Sequence, residues 1–146
     1  LGNATSDATT VSGTLAVQST TNSTSKTTGA VVVSGGVGIN NDLHVGGDIT
    51  AFSSSDQNLK ENITIIPNAL DKVKALTGNT FTWKPVNDSV SGQADTGVIA
   101  QEVEALGLPG TVVTRDDGTK AVRYERLIPL LIEAVKELNA KVDALS

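Results

Sequence analysis

The feature that most constrains this chain is a change of polymer type near residue 55. Residues 1–55 hold nine Ser, ten Thr and eight Gly, and their only charged side chains are Asp7, Lys26, Asp42 and Asp48. The remainder carries ten of the 11 basic and 13 of the 16 acidic residues. A stretch rich in small polar residues lacks the apolar side chains to build a core alone. The two segments therefore read as separate domains, 1–55 and 56–146.

The first segment contains short β-like pieces: VSGTLAV (Val11–Val17), AVVVSGGVGI (Ala30–Ile39) and NDLHVGGDI (Asn41–Ile49). Leu15 and Val17 alternate, as do Leu43 and Val45, which is the period of a strand. Such narrow apolar edges are not buried by one chain, but identical chains wound together can bury them. The segment reads as the end of an intertwined fibrous β-stalk; the alternative is a flexible Ser/Thr linker. The second segment reads as α+β. A helix is predicted over Ile66–Leu76 with Pro67 in its first turn. A strand follows at Thr80–Lys84, with Phe81 and Trp83 on one side. A short helix is predicted over Gly97–Leu106. A hairpin is expected from Thr111 to Tyr124 around Asp116-Asp117-Gly118, since Asp-Gly favours the tight turn.

A long helix is predicted from Glu125 to the end. In it Ile128, Val135 and Val142 fall at one heptad position, and Leu131, Leu138 and Leu145 at the other. That spacing argues for a seam against partner helices, with β-branched residues at the first position and Leu at the second leaning toward two strands. The alternative is an amphipathic helix packed on its own domain. Leu127, Leu130 and Ile132 widen the apolar surface, so the start of the helix also packs on its own domain. Pro129 is tolerated in the first turn.

Bulk composition excludes several functions. The net charge of −5 argues against nucleic acid as a partner. The absence of cysteine removes thiolate catalysis and cysteine-ligated zinc. No apolar run approaches a membrane span, and the opening LGNATSDATT has neither the basic flank nor the apolar core of a signal peptide. His44 is the sole histidine and makes no metal site without further ligands. Gly35-Gly36-Val37-Gly38 lacks the lysine and following helix of a phosphate loop. No metal or cofactor is expected.

At the border the chain reads SSSDQNLKEN, Ser53–Asn62. A serine hydroxyl becomes a nucleophile when a base takes its proton, and a neutral lysine amine can be that base. Burial or a cationic neighbour favours the neutral amine. Ser55 and Lys60 are close enough to meet in a bent segment, although the spacing alone is common by chance.

The segment from Ser55 onward resembles the C-terminal intramolecular chaperone domain of phage tail spikes, tail fibres and endosialidases. This is a self-cleaving serine peptidase family with a relative in a membrane-anchored eukaryotic transcription factor. The resemblance runs through SDQNLKENI (Ser55–Ile63), PNALDKV (Pro67–Val73), TFTWK (Thr80–Lys84), GVIAQEVE (Gly97–Glu104) and YERLIPLLIEAVKEL (Tyr124–Leu138). TTGAVVVSGGVGI (Thr27–Ile39) and LHVGGDI (Leu43–Ile49) look like repeats of phage fibre proteins, less specifically.

The resemblance implies a homotrimer with a C-terminal coiled coil, preceded by a triple-stranded β-stalk that is its folding client. It implies that the stalk stays in the virion tail fibre or spike while the chaperone part is released in the host cytoplasm. It also implies a Ser–Lys dyad of Ser55 and Lys60 and cleavage at Ser55–Asp56. A serine attacking its own carbonyl would close a strained four-membered ring, whereas attack on the Ser54 carbonyl closes a five-membered one. Ser54–Ser55 therefore stands as the second choice of bond.

Gln101 and Glu102 are candidates to touch the cleavage segment or a neighbouring subunit, against a helix cap or surface pair. Arg123 and Arg126 are candidates to keep Lys60 neutral or stabilise an oxyanion, against a structural ion pair. The rivals to this function are a permanent trimeric tip that binds a receptor and a trimerisation unit that does not cleave itself.

Overall fold

The computed structural model describes residues 8–85 and 91–145. By contact density the chain divides into Leu1–Ser53 and Ser54–Ser146, close to the border in composition.

The first unit, over its described residues 8–53, contains turns and bends but no helix or strand. Hydroxyls organise its clearest local structure. Thr28 Oγ1 accepts the amides of Thr24 and Ser25 at 2.8 and 2.9 Å, and Gly29 follows with φ +120°. The strands expected at Val11–Val17, Ala30–Ile39 and Asn41–Ile49 do not form in the single chain. Their apolar side chains stand in solvent, with Leu15 72% and Leu43 67% exposed. A strand needs a partner for its backbone groups and one covered face, and this segment offers itself neither.

In the second unit, packing begins where two helices cross. Helix α1 (Ala69–Lys74) lies against the long C-terminal helix through Ala69, Leu130 and Ala134, all buried. Ile66, Leu70, Val73, Leu76, Leu106 and Leu108 pack around them. Two alanines at the crossing let the backbones approach closely, and Leu130 fills the remaining space with no exposed surface. Helix α1 starts later than the sequence suggests. Asn68 adopts a left-handed conformation (φ 54°, ψ 41°), which Asn tolerates better than most residues. It breaks the helical path, leaving Pro67 in the preceding turn.

Strand β1 (Asn79–Thr82) pairs antiparallel with β2 (Ala94–Gly97), placing Phe81 opposite Asp95. Trp83 continues the pairing through its amide to the Gln93 carbonyl, 3.0 Å. Phe81 and Trp83 share a side, as their alternation requires, and meet edge to face with ring centroids 5.2 Å apart. Helix α2 (Ala100–Ala105) is shorter than expected because Gly97 ends β2 and Ile99 is extended (φ −88°, ψ 122°). Its Val103 is fully buried.

Strands β3 (Val112–Thr114) and β4 (Lys120–Val122) form the expected hairpin. Gly118 takes φ +83° in its turn, and Asp117 Oδ1 accepts the Thr119 amide and hydroxyl at 2.8 and 2.6 Å. The hairpin leads through a 3-10 turn, Tyr124–Leu127, into α3 (Ile128–Asp143), with Pro129 in its first turn.

Helix α3 has two apolar sides. Leu127, just before it, and Leu130 and Ala134 within it are buried in this unit. The heptad residues Ile128, Leu131, Val135, Leu138 and Val142, and Leu145 beyond the helix, are all exposed. Of the residues expected to pack the start of the helix on its own domain, Leu127 and Leu130 do so, whereas Ile132 is half exposed.

Candidate functional site

The border segment bends immediately. Asp56 is extended (φ −61°, ψ 135°) and caps a 3-10 turn, Gln57–Leu59, by accepting the Asn58 amide at 2.8 Å. The Asp56 carbonyl accepts the Leu59 amide at 3.1 Å, and the Gln57 carbonyl accepts the Lys60 amide at 3.0 Å. The turn brings the Lys60 side chain back over the residue before Asp56. Lys60 Nζ donates to Ser55 Oγ at 2.7 Å. The two residues that the sequence singled out are thus in direct contact. Both are exposed in the single chain.

That contact lies along the path a proton takes in nucleophile activation. A neutral amine at the same distance would accept the hydroxyl proton, leaving Oγ free to attack a carbonyl. Desolvation on burial favours the neutral form of an amine, and this segment has nothing over it in the single chain.

The other candidates lie on different elements. Glu102, in α2, accepts the Thr77 amide at 2.9 Å and its hydroxyl at 2.9 and 3.0 Å. It ties α2 to the loop before β1 and caps no helix, and no hydrogen bond joins it to Ser55 or Lys60 among the described residues. Gln101 is exposed beside it. The Arg123 amide bonds the Thr111 carbonyl at 2.9 Å, closing the β3–β4 pair. Arg126 stands 4.0 Å from Glu125 with both side chains largely exposed. Neither arginine contacts Ser55 or Lys60. His44 is exposed in the first unit.

Sequence reasoning missed a groove between the two hairpins. Phe81, Trp83, Asp95, Arg115, Lys120 and Tyr124 line it. Asp95 Oδ2 accepts from Trp83 Nε1 at 3.1 Å, fixing the indole. Lys120 Nζ bonds Glu104 at 2.7 Å. With so few aromatic residues, the only signal was the convergence of Phe81 and Trp83, at the end of β1, with Tyr124 of the distant 3-10 turn, and it needed the fold to be seen.

Two kinds of similarity bear on this site. Residues 55–113 match the family described as chaperone of endosialidase. The match begins at Ser55 and ends at Val113, so Tyr124–Leu138 lies beyond it. Over 113 residues the chain is 35% identical to the long tail fiber protein Gp37 of Enterobacteria phage K3, and to that of Enterobacteria phage T2. The alignment takes in 73% of this chain but only 9% and 8% of those proteins. The chain therefore spans less than a tenth of the length of these relatives.

Proposed function

We propose, from the premise that the segment 55–113 belongs to the chaperone-of-endosialidase family, that this chain joins a tail-fibre stalk to its self-removing assembly chaperone. Residues 56–146 trimerise along the exposed heptad seam of α3, bring three stalk segments into register, and are then cut away by Ser55 with Lys60 as base. The observation that carries this reading is the 2.7 Å contact between Lys60 Nζ and Ser55 Oγ at the first residue of the family match.

The physical rationale concerns register. Interchain β-pairing is non-local, slow and exposed to misassembly. A compact trimerising domain raises the local concentration of the three stalks. Its removal leaves the stalk without the route by which it assembled, so that persistence becomes a matter of unfolding rate. The absence of strands from residues 8–53 of the single chain fits a segment that acquires structure only with partners. Exposure of Ser55 and Lys60 in the single chain fits a dyad completed by assembly, since burial is what favours a neutral amine.

For cleavage at Ser55–Asp56, Oγ of Ser55 from one subunit attacks the Ser55 carbonyl of another while Lys60 takes the hydroxyl proton. The Asp56 nitrogen leaves with that proton, and water hydrolyses the ester. For cleavage at Ser54–Ser55, Ser55 attacks the preceding carbonyl in its own chain. The acyl group moves from nitrogen to oxygen, and water again releases it. The first route parts Ser55 from Lys60, so each dyad is dismantled by the cut. N-terminal sequencing of the downstream fragment tests the choice: Asp56 at its start supports the first route and Ser55 the second, while a start elsewhere contradicts both.

A permanent trimeric tip is the second reading. The aromatic groove between the hairpins favours it, because a released chaperone needs no receptor surface. It requires the chain to remain whole.

A further inference from the structure

Asp56 lies between the two dyad residues in sequence, and its side chain organises the backbone that joins them. Three hydrogen bonds close this segment: Asn58 amide to Asp56 Oδ1 at 2.8 Å, Leu59 amide to Asp56 carbonyl at 3.1 Å, and Lys60 amide to Gln57 carbonyl at 3.0 Å. Lys60 leaves the turn extended, at φ −127° and ψ 142°. Fully extended, five residues would separate the two Cα atoms by about 17 Å. The turn is what brings the amine to the hydroxyl.

Among the described residues, the only other bond across that turn is the Lys60–Ser55 contact itself. None of Gln57, Asn58 and Leu59 is buried, and Leu59 is 73% exposed. A single 3-10 turn is short of intrinsic stability. Of the three closing bonds, the cap alone depends on a side chain. A capping side chain shifts such an equilibrium by a factor of about five.

We infer that Asp56 is a positioning residue, whose carboxylate caps the turn that holds Lys60 Nζ against Ser55 Oγ. This deepens the proteolytic reading and rests on it. It gives the residue after the cleavage serine a role in the uncut chain, apart from its place at the scissile bond. The role needs an acceptor oxygen on a short side chain and does not need the negative charge.

The test uses the full chain with Asp56→Ala, Asp56→Asn and Asp56→Ser beside the wild type, with cleavage followed over time by intact mass. Asn and Ser are both strong capping residues. The expected result is that Asp56→Ala cleaves about fivefold more slowly, while Asp56→Asn and Asp56→Ser stay within about twofold of wild type. An Asp56→Ala chain that cleaves at the wild-type rate overturns the inference. So do Asn and Ser chains as slow as Ala, because the charge and not the cap would then matter.

If the wild type never cleaves, the proteolytic reading fails, and positioning is read from a second measurement. The nuclear Overhauser contact between the Ser55 β-protons and the Lys60 ε-protons should be present in the wild-type, Asn and Ser chains and lost in the Ala chain. Its persistence in Asp56→Ala overturns the inference independently.

Discussion

Glu137 accepts the backbone amide of Ala69 at 2.8 Å, from a helix 68 residues further along the chain. Its second oxygen accepts the Leu70 amide, also at 2.8 Å. One carboxylate thus satisfies two of the donors that the start of α1 leaves open. Asn68, the residue before the helix, makes no capping bond of its own. The bonds to Leu70 and then Ala69 hold the Glu137 carboxyl below its ordinary value. A folded pKa below the unfolded one gives stability that is complete above the ordinary carboxylate range. That stability is lost as pH falls through the lowered folded value. Glu137→Ala should therefore lower Tm at neutral pH by about 4–8 °C, as loss of a cap does in a small domain. The gap to wild type should close as the pH is taken into the acid range. Thermal melts of both chains from pH 7 to pH 3 check this, and a gap independent of pH would contradict it.

Tyr124 occupies the space where Gly97 would carry a side chain. A Cβ at Gly97 would overlap the tyrosine hydroxyl, whereas its next neighbours, Tyr124 Cζ and Phe81 Cε1, lie at ordinary contact distances of 3.5 and 3.6 Å. The same hydroxyl accepts the Val98 amide at 3.3 Å. Gly97→Ala should cost about 1–3 kcal/mol, as overpacking does. In the Tyr124→Phe background the same change should cost clearly less, since the overlapping atom is gone. Denaturant unfolding of the two single variants and the double variant measures the coupling.

The two apolar sides of α3 should separate by mutation. Leu130→Ala removes a fully buried side chain and should destabilise the domain by about 2–5 kcal/mol. Leu138→Asp changes a residue that is half exposed in the single chain. It should leave the helical circular dichroism of the domain in place while converting trimers to monomers in sedimentation equilibrium. A Leu138→Asp chain that still sediments as a trimer would remove the seam from the account.

What the sequence made legible was local. The Asp-Gly turn, the alternation of Phe81 and Trp83, and Pro129 at the head of α3 each depend on neighbours a few residues away. The contact of Ser55 and Lys60 is local too, since one short turn accounts for it, but the resemblance and not their spacing pointed to the pair. What it hid was set by distant partners. Strand β2 reads ADTG, with no β-branched alternation, and is a strand because β1 supplies its hydrogen bonds. The Glu137 clamp and the approach of Tyr124 to Gly97 join elements far apart in the chain. Helix α1 starts after Pro67, a good first-turn residue, because Asn68, a type that tolerates the left-handed conformation and commonly precedes a helix, interrupts the helical path. The expected stalk strands illustrate the remaining limit: alternation marks a face to be buried without saying which chain buries it.

Lysine and arginine at position 60 should behave differently. An arginine carries its charge at all accessible pH and cannot take the serine proton. Lys60→Arg should therefore slow cleavage by about 10²–10⁴-fold, the usual contribution of a positioned base, while the trimer forms as before. Cleavage time courses on trimers isolated by size-exclusion chromatography give the comparison.

The most direct measurement is intact-mass spectrometry of the purified wild-type chain beside Ser55→Ala and Lys60→Ala. The account predicts two fragments from the wild type, divided at Ser55–Asp56 or one bond earlier, and a single whole chain from each variant. A wild-type chain that stays whole while assembled as a trimer, or a Ser55→Ala chain that still divides at this border, would contradict it.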